Sequence, residues 1–324
     1  MNVDSDLSQR PVTIAMLTFR RPTDLVAAIP AVLQQIPAAA PNIRLLVIDN
    51  DPAGSASEAV IGISDPRVQY VHEPRAGIAA ARNRALDQCD SQELLIFIDD
   101  DERPVGRWLE SLLATQQRFG AAAVVGAVVS EYDVEPDEWI KAGRFFDRRR
   151  LPTGTTVDVA ATNNLLLDLS RVAALGLRFD ERFGQSGGSD TLFTRQLAAS
   201  GAQLIWCDDA VVIDRVPASR LTRRWVLQRA FRSGNSWTRT SLVLADGRLD
   251  RLGVRLTSVG IGVVRLAGGG VRYLAGMVSR SLGLRVRGLR TIARGGGMVA
   301  GATGYVFSEY KRRPSATQPA NSLA

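Results

Sequence analysis

The sequence predicts an α/β fold, a mostly parallel sheet covered by helices on both faces, followed by a C-terminal basic amphipathic helical region. Three observations predict it. Through residue 132, apolar β-branched runs alternate with segments of helical spacing. Those runs are apolar throughout rather than on alternate residues, as in strands buried on both faces. Charge also divides along the chain: residues 1–214 hold 20 Lys+Arg and 30 Asp+Glu, whereas residues 215–324 hold 20 and 3, so balances of −10 and +17 make up the net +7.

The elements follow in order. VTIAML (12–17) is the first strand. TDLVAAIPAVLQQI (23–36) has helical spacing, Thr23 or Asp24 as cap, and a kink at Pro30. Strands follow at 43–49, 68–73, 93–99 and 122–132, with helices at 55–63, 77–89 and 107–119 between them. Residues 133–160 read as loops with a short helix, and further helices fall at 189–200 and 219–240. The tail, 253–310, is rich in Gly and Arg; residues 268–270 and 295–297 are all glycine and are expected to interrupt its helix.

Composition excludes several classes. With 45% hydrophobic residues, the 324-residue chain can build a core. Cys89 and Cys207 form no CxxC pair, which argues against a disulfide scaffold or structural zinc and fits a reducing compartment. The first residues, MNVDSDLSQRP, lack the apolar run of a signal peptide. His72 is the single histidine, so no mechanism can use two.

Chemistry concentrates in LLIFIDDDERP, where an apolar strand runs into Asp99, Asp100, Asp101 and Glu102. Ligands of open α/β sheets bind outside the carboxyl ends of strands. Adjacent carboxylates there suit a hard cation, Mg²⁺ or Mn²⁺. If the chain stays extended, Asp99 and Asp101 face one way and Asp100 the other. Neither GxGxxG nor GxxxxGK[ST] follows the first strand, so a diphosphate must be held by metal, arginine or scattered backbone groups. GQSGG (184–188) matches a GxSxG nucleophile elbow, but the lone His72 lies upstream of Ser186, the wrong order for that triad. Downstream, Ser189 or Asp190 could cap a helix, and Asp190 could equally accept a proton from a hydroxyl.

Taken together, TFRRP (18–22), VIDNDPAGSA (47–56), GIAAARNRAL (77–86), FIDDDERP (97–104), TNN (162–164), FDERFGQSGGSD (179–190) and VPASR (216–220) resemble a bacterial family 2 glycosyltransferase, and more narrowly the succinoglycan-type exopolysaccharide transferases. The resemblance spans about residues 10–240. It implies a GT-A fold over 11–240 and inverting transfer from a nucleotide-sugar, usually a UDP-sugar. It implies nucleotide-sugar contacts at Thr18, Arg21, Asp49, Asn50, Arg82, Asp99 and Asp100. It places metal ligands at Asp99 and Asp101, the general base at Asp190, and acceptor-side residues at Trp139, Gly187 and Gly188. Two departures stand out. GGSD replaces the usual GGED, so Ser189 occupies the place of a glutamate. A histidine that often follows the last strand is absent from VVIDRVP, so Asp214 is the substitute metal ligand. LTRRWVLQRAF lacks the order of the processive QxxRW signature, which favours one sugar per encounter.

The remaining segments are a disordered N-terminus (1–10), a basic amphipathic membrane-association region (241–312) and a disordered tail (313–324). Arginines at 265, 272, 280, 287 and 294 recur every seven or eight residues, close to one helical face. No run reaches the roughly 18 uncharged apolar residues of a spanning helix. The expected partners are a nucleotide-sugar, a glycan acceptor carried on polyprenyl diphosphate, and an anionic membrane surface. The expected location is cytoplasmic, peripheral on the inner face of the plasma membrane. Two alternatives are weaker. A nucleotidyltransferase would want a phosphate loop after the first strand. A nucleic-acid-binding protein would want aromatic residues among the tail arginines, where only Tyr273, Tyr305, Phe307 and Tyr310 occur.

Overall fold

The computed structural model describes residues 10–38 and 40–308. The expected disordered tail (313–324), and all of the expected disordered N-terminus except Arg10, lie outside them. Arg10 is ordered: its guanidinium donates to both carboxylate oxygens of Asp168 (2.9 and 2.7 Å) and to Gln92 O.

One sheet of eight strands organises the catalytic half, in the order β3-β2-β1-β4-β7-β6-β8-β5. The strands are β1 (Val12–Thr18), β2 (Ile43–Asp49), β3 (Val68–His72), β4 (Leu94–Asp99), β5 (Glu102–Pro104), β6 (Ala123–Tyr132), β7 (Asn164–Asp168) and β8 (Leu204–Val216). Strands β1 to β4 pair in parallel, as do β6 and β8. Antiparallel β7 joins these two groups, and β5 runs antiparallel to β8. Strands β5, β7 and β8 were not anticipated as elements.

Helices α1 (Pro22–Leu33), α2 (Ser57–Ile61), α3 (Ile78–Asp87), α4 (Trp108–Phe119), α5 (Glu138–Gly143), α6 (Leu169–Ala174) and α7 (Ser189–Ala199) complete this half. Side chains alternate across each strand, so one strand feeds two cores. Ile14, Met16, Leu45, Val47 and Ile96 pack under α1 and α4, with Leu25, Ile29, Trp108 and Leu112. Ala15, Leu46, Leu95 and Phe97 pack under α3 and α7, with Ala81, Phe193 and Leu197. This explains why the strands read as continuously apolar. The expected Thr23 or Asp24 cap of α1 is not used. Arg21 takes the cap position without a side-chain bond, and Pro22 starts the helix, where a missing N–H costs nothing.

The basic half forms three long helices, α8 (Arg223–Leu244), α9 (Arg248–Val278) and α10 (Leu282–Ala302). The glycine runs do not interrupt them. Gly262 and Gly269 of α9 face Gly295 and Gly288 of α10, close enough that an added Cβ would lie 2.7–3.0 Å from backbone oxygens. These glycines let two backbones touch, and that tertiary contact overrides their weak helix propensity. Nor do the five arginines share one helical face. Arg280 sits in the turn between α9 and α10 with a left-handed φ of 55°. Helix α9 is long and apolar enough to cross a membrane by length and composition alone. Arg265 and Arg272 interrupt it, and most of its surface is exposed.

Candidate active site

Parallel pairing brings the carboxyl ends of β2, β1 and β4 side by side. Asp49 is opposite Thr18, and Leu17 is opposite Asp99. The chain does not stay extended beyond Asp99. It turns through Asp100 and Asp101 and enters β5 at Glu102, which pairs in register with Asp214 of β8. The acidic run is therefore dealt out in several directions. Asp100 turns toward α1, accepting from Thr18 Oγ1 (2.7 Å) and Arg21 Nη1 (3.2 Å). Asp101 accepts from Arg21 Nη1 (3.0 Å) and Arg220 Nη2 (3.1 Å). Glu102 is buried beneath them, accepting from Asn163 Nδ2 (2.6 Å) and from the Asp99 backbone N–H (3.3 Å). Asp214 is bonded to Arg148.

Packing these carboxylates together raises their proton affinity. Burial, reinforced by the Asp101 charge and opposed by Arg82, pushes the Asp99 carboxyl up to about 7. Burial pushes Asp100 up to about 6 against its bonds to Thr18 and Arg21. Burial beside Asp99 drives Glu102 well above the usual carboxylate range. Among the described residues, no three acidic, histidine or cysteine side chains are gathered tightly enough to cage a metal. The fit to a cation rests instead on electrostatics. The Asp99 carboxylate has neither a hydrogen-bond donor nor an ion-pair partner among the described residues, and it suffers the repulsion that a cation removes. Asp101 lies beside it; Asp214 is held by arginine.

The other half of the site hangs from the glycine loop before α7. Gly187 and Gly188 take φ of 76° and 100°, and Gly188 is the cap of α7 without a side-chain bond. A Cβ on Gly188 would sit 3.2 Å from the Ser236 Cβ on α8, and Ser236 Oγ donates to Gly187 O (3.4 Å). Neither Ser189 nor Asp190 caps the helix. Ser189 is fully buried and accepts from Arg82 Nη1 at 2.7 Å. Asp190 stays half-buried in the first turn, where its carboxylate accepts only from its neighbour Thr191. The Arg82 guanidinium also lies 5.5 Å from the Phe179 ring centroid. Arg82 thus joins the Asp99 neighbourhood to the loop that carries Asp190.

The remaining predicted residues are placed differently. Asp49 is fully buried and accepts from Asp51 N (2.9 Å), Ala56 N (2.7 Å) and Tyr70 OH (3.1 Å). Asn50 donates to Glu73 O and Arg75 O and accepts from Gly77 N. Both hold the loops at the strand ends. Trp139 of α5 stacks on Phe145 (5.5 Å) under the Arg223 guanidinium, in a separate aromatic cluster with Phe146 and Trp225. Arg148, Arg220 and Asn163 were missed as site residues. TNN was quoted as a motif, but its first asparagine, Asn163, contacts Glu102, whereas Asn164 accepts from Trp108 Nε1 (2.9 Å) inside the core.

Comparison with known proteins agrees with this placement. The profile of "Glycosyl transferase family 2" matches residues 13–180. The chain is 33% identical over 239 residues to the "Succinoglycan biosynthesis protein ExoM" of Rhizobium meliloti (strain 1021), covering 73% of this chain and 77% of that protein. It is 26% identical over 202 residues to the "Pre-mycofactocin glycosyltransferase" of Mycobacterium tuberculosis (strain ATCC 25618 / H37Rv), covering 60% of this chain and 42% of that one. Among solved structures, GalNAc-T7 with UDP, GalNAc and Mn²⁺ superposes with a TM-score of 0.52 at 12% identity, over 71% of this chain and 51% of that chain. That likeness is one of fold, the GT-A-like sheet.

Proposed function

The chain belongs to glycosyl transferase family 2, and on that premise we propose that it is an inverting, metal-dependent hexosyltransferase that moves a sugar from a UDP-sugar to a hydroxyl of a lipid-linked glycan. The observation that carries this reading is the link through Arg82. One arginine spans the unpartnered carboxylate Asp99 and the loop that presents Asp190.

In this reading the acceptor hydroxyl attacks the anomeric carbon, its proton passes to Asp190, and the bond to the nucleotide diphosphate breaks with its electron pair on phosphate oxygen. A single displacement inverts the anomeric centre. Asp99 and Asp101, with Asp214 as a third ligand, would hold Mg²⁺ or Mn²⁺, which when bound neutralises charge on the leaving diphosphate. Arg21 and Thr18 fix Asp100 at the donor side, and Arg82 sets the position of the loop before α7. Proton removal of this kind supplies about 10²–10⁴-fold in rate.

The acceptor is proposed to lie at a membrane, with the protein peripheral on the inner face of the plasma membrane. Supporting this, Leu256, Val263, Val264, Val271, Leu274 and Val278 of α9 are exposed. Helical geometry puts them opposite the buried seam of Gly262 and Gly269, and Arg265 and Arg272 flank the stripe. The excess of basic residues in 215–324 complements anionic headgroups.

A panel of nucleotide-sugars, scored for metal-dependent hydrolysis and thermal stabilisation, identifies the donor. Asp190→Asn is expected to keep donor binding and abolish transfer; wild-type transfer by that variant refutes the base assignment. Val264→Asp with Val271→Asp is expected to release the protein from phosphatidylglycerol vesicles in a flotation assay. Undiminished flotation of that double variant counts against α9 as the seat.

A further inference from the structure

Beside the carboxylates lies a second charged cluster of opposite sign. Arg229 of α8 rests against two stacked rings, 5.8 Å from the Phe146 centroid and 5.4 Å from that of Trp225. Among the described residues no carboxylate or carbonyl accepts from it. Its electrostatic neighbours are Arg148, Arg220 and Arg232, with Asp214 the acid that offsets them. Arg148 is bonded to Asp214, and Arg220 reaches Asp101 at 3.1 Å and Asp214 at 4.0 Å. Four guanidiniums therefore surround two carboxylates, one of which, Asp101, already shares Arg21.

Like charges held this close are unfavourable unless an anion joins them. Burial and the surrounding arginines push the Arg229 guanidinium down to about 9. It still carries its charge at neutral pH, with its hydrogen bonds unspent. The rings fix its plane without offering an oxygen, a setting that leaves the flat fork free for a bidentate acceptor.

We propose that Arg229, with Arg148, Arg220 and Arg232, forms a diphosphate-binding site adjoining the acidic cluster. Diphosphate could come from two sources in the reaction proposed above, the sugar nucleotide or a prenyl diphosphate carrying the acceptor glycan. Only that choice of source rests on the transferase reading. The site itself rests on the arginines.

The test uses the full chain in EDTA, so that no metal contributes. Inorganic pyrophosphate is titrated by calorimetry, with sulfate as the control anion, against wild type and Arg229→Gln. The expected result is binding of pyrophosphate well above that of sulfate, weakened about ten-fold or more in Arg229→Gln, as befits loss of charged hydrogen bonds. Pyrophosphate that binds no better than sulfate, or equally well to both proteins, overturns the site. Phenylglyoxal modification of the wild type, read by mass spectrometry, gives an answer independent of the variant's folding. Pyrophosphate is expected to protect Arg229, and modification at an unchanged rate overturns the proposal. UDP and farnesyl diphosphate then separate the sources. Affinity lost for farnesyl diphosphate alone assigns the site to the acceptor side, and affinity lost for UDP alone assigns it to the donor. Retention of both refutes a role for Arg229 with either. None of these arms requires sugar transfer, so a failed transferase assay leaves the pyrophosphate result readable.

Discussion

Replacing Gly297 by alanine tests how α10 is seated. An added Cβ there would lie 1.9 Å from Phe231 O and 3.0 Å from Asn235 N, both backbone atoms of α8. No rotamer change relieves a clash with backbone. The helices would have to part by about 1 Å, and a gap of that size forfeits a quarter to a half of the dispersion energy along the seam. Over-filled cores typically lose about 1–3 kcal/mol, and a backbone-to-backbone contact belongs at the upper end. Better helix propensity returns about 1 kcal/mol. The net expectation is a loss of about 2 kcal/mol, a Tm lower by about 4–8 °C. Gly260→Ala is the matched control. It changes the same residue type in α9, where nothing lies within 4 Å of the new methyl, so propensity alone acts and Tm rises by about 2–4 °C. Circular dichroism melts of both variants decide the matter. A Gly297→Ala protein as stable as the Gly260→Ala protein refutes the close seating of α10 on α8.

Other predictions concern the acidic cluster and its supports. The Asp99 and Asp100 carboxyls, raised to about 7 and about 6, hold protons in the folded state that the unfolded chain releases near its ordinary value of about 4. Stability of the metal-free protein is therefore full below about pH 4 with respect to these groups and falls as pH rises toward 7. Asp99→Asn is expected to flatten that slope in urea midpoints taken from pH 4.5 to 7.5, and an unchanged slope would exclude Asp99 as its source. Added Mn²⁺ is expected to raise the midpoint at pH 7.5 in wild type and not in Asp99→Asn. Ser189→Ala removes the 2.7 Å acceptor of buried Arg82, which costs about 1–3 kcal/mol; a melt within error of wild type would show that Arg82 finds another acceptor.

The sequence was most legible where one segment decides its own structure. Residues 43–49 were expected as a strand and form β2 over the same span, because an uninterrupted apolar run ends at Asp49 and Asn50. Strand β8 was missed because Asp208 and Asp209 break its apolar pattern, where the β6–β8 register shifts between Gly126 and Ala127. Strand β5 holds three residues, one of them proline, and exists because Glu102 pairs with Asp214 more than a hundred residues away. The glycine runs misled for the same reason. Their spacing did carry the signal: Gly262, Gly269 and Gly276, like Gly288 and Gly295, recur every seven residues and mark a close-packed face. At the site, clustered carboxylates announced themselves. Arg148 and Arg220 did not, since only the fold brings them from distant loops to Asp214 and Asp101.

That contrast bears on how the site manages its charge. Carboxylates come from one turn after β4 and from β8, whereas the arginines that meet them come from α1, the loop after α5 and the turn before α8. Acid is thus built into the sheet, and base is delivered by segments on its rim. Arg220 is the hinge of this arrangement, reaching Asp101 on one side and Asp214 on the other. A cation placed at Asp99 and Asp101 would displace Arg21 and Arg220 from carboxylate and turn them toward any diphosphate beside it. A metal ion entering alone would strand those guanidiniums, and a diphosphate entering alone would have to compete with Asp101 and Asp214 for them. Charge is balanced best when both arrive together. The electrostatics of the empty cluster, with protonated aspartates on one side and crowded arginines on the other, therefore favour a ligand that carries a cation and a diphosphate as one unit.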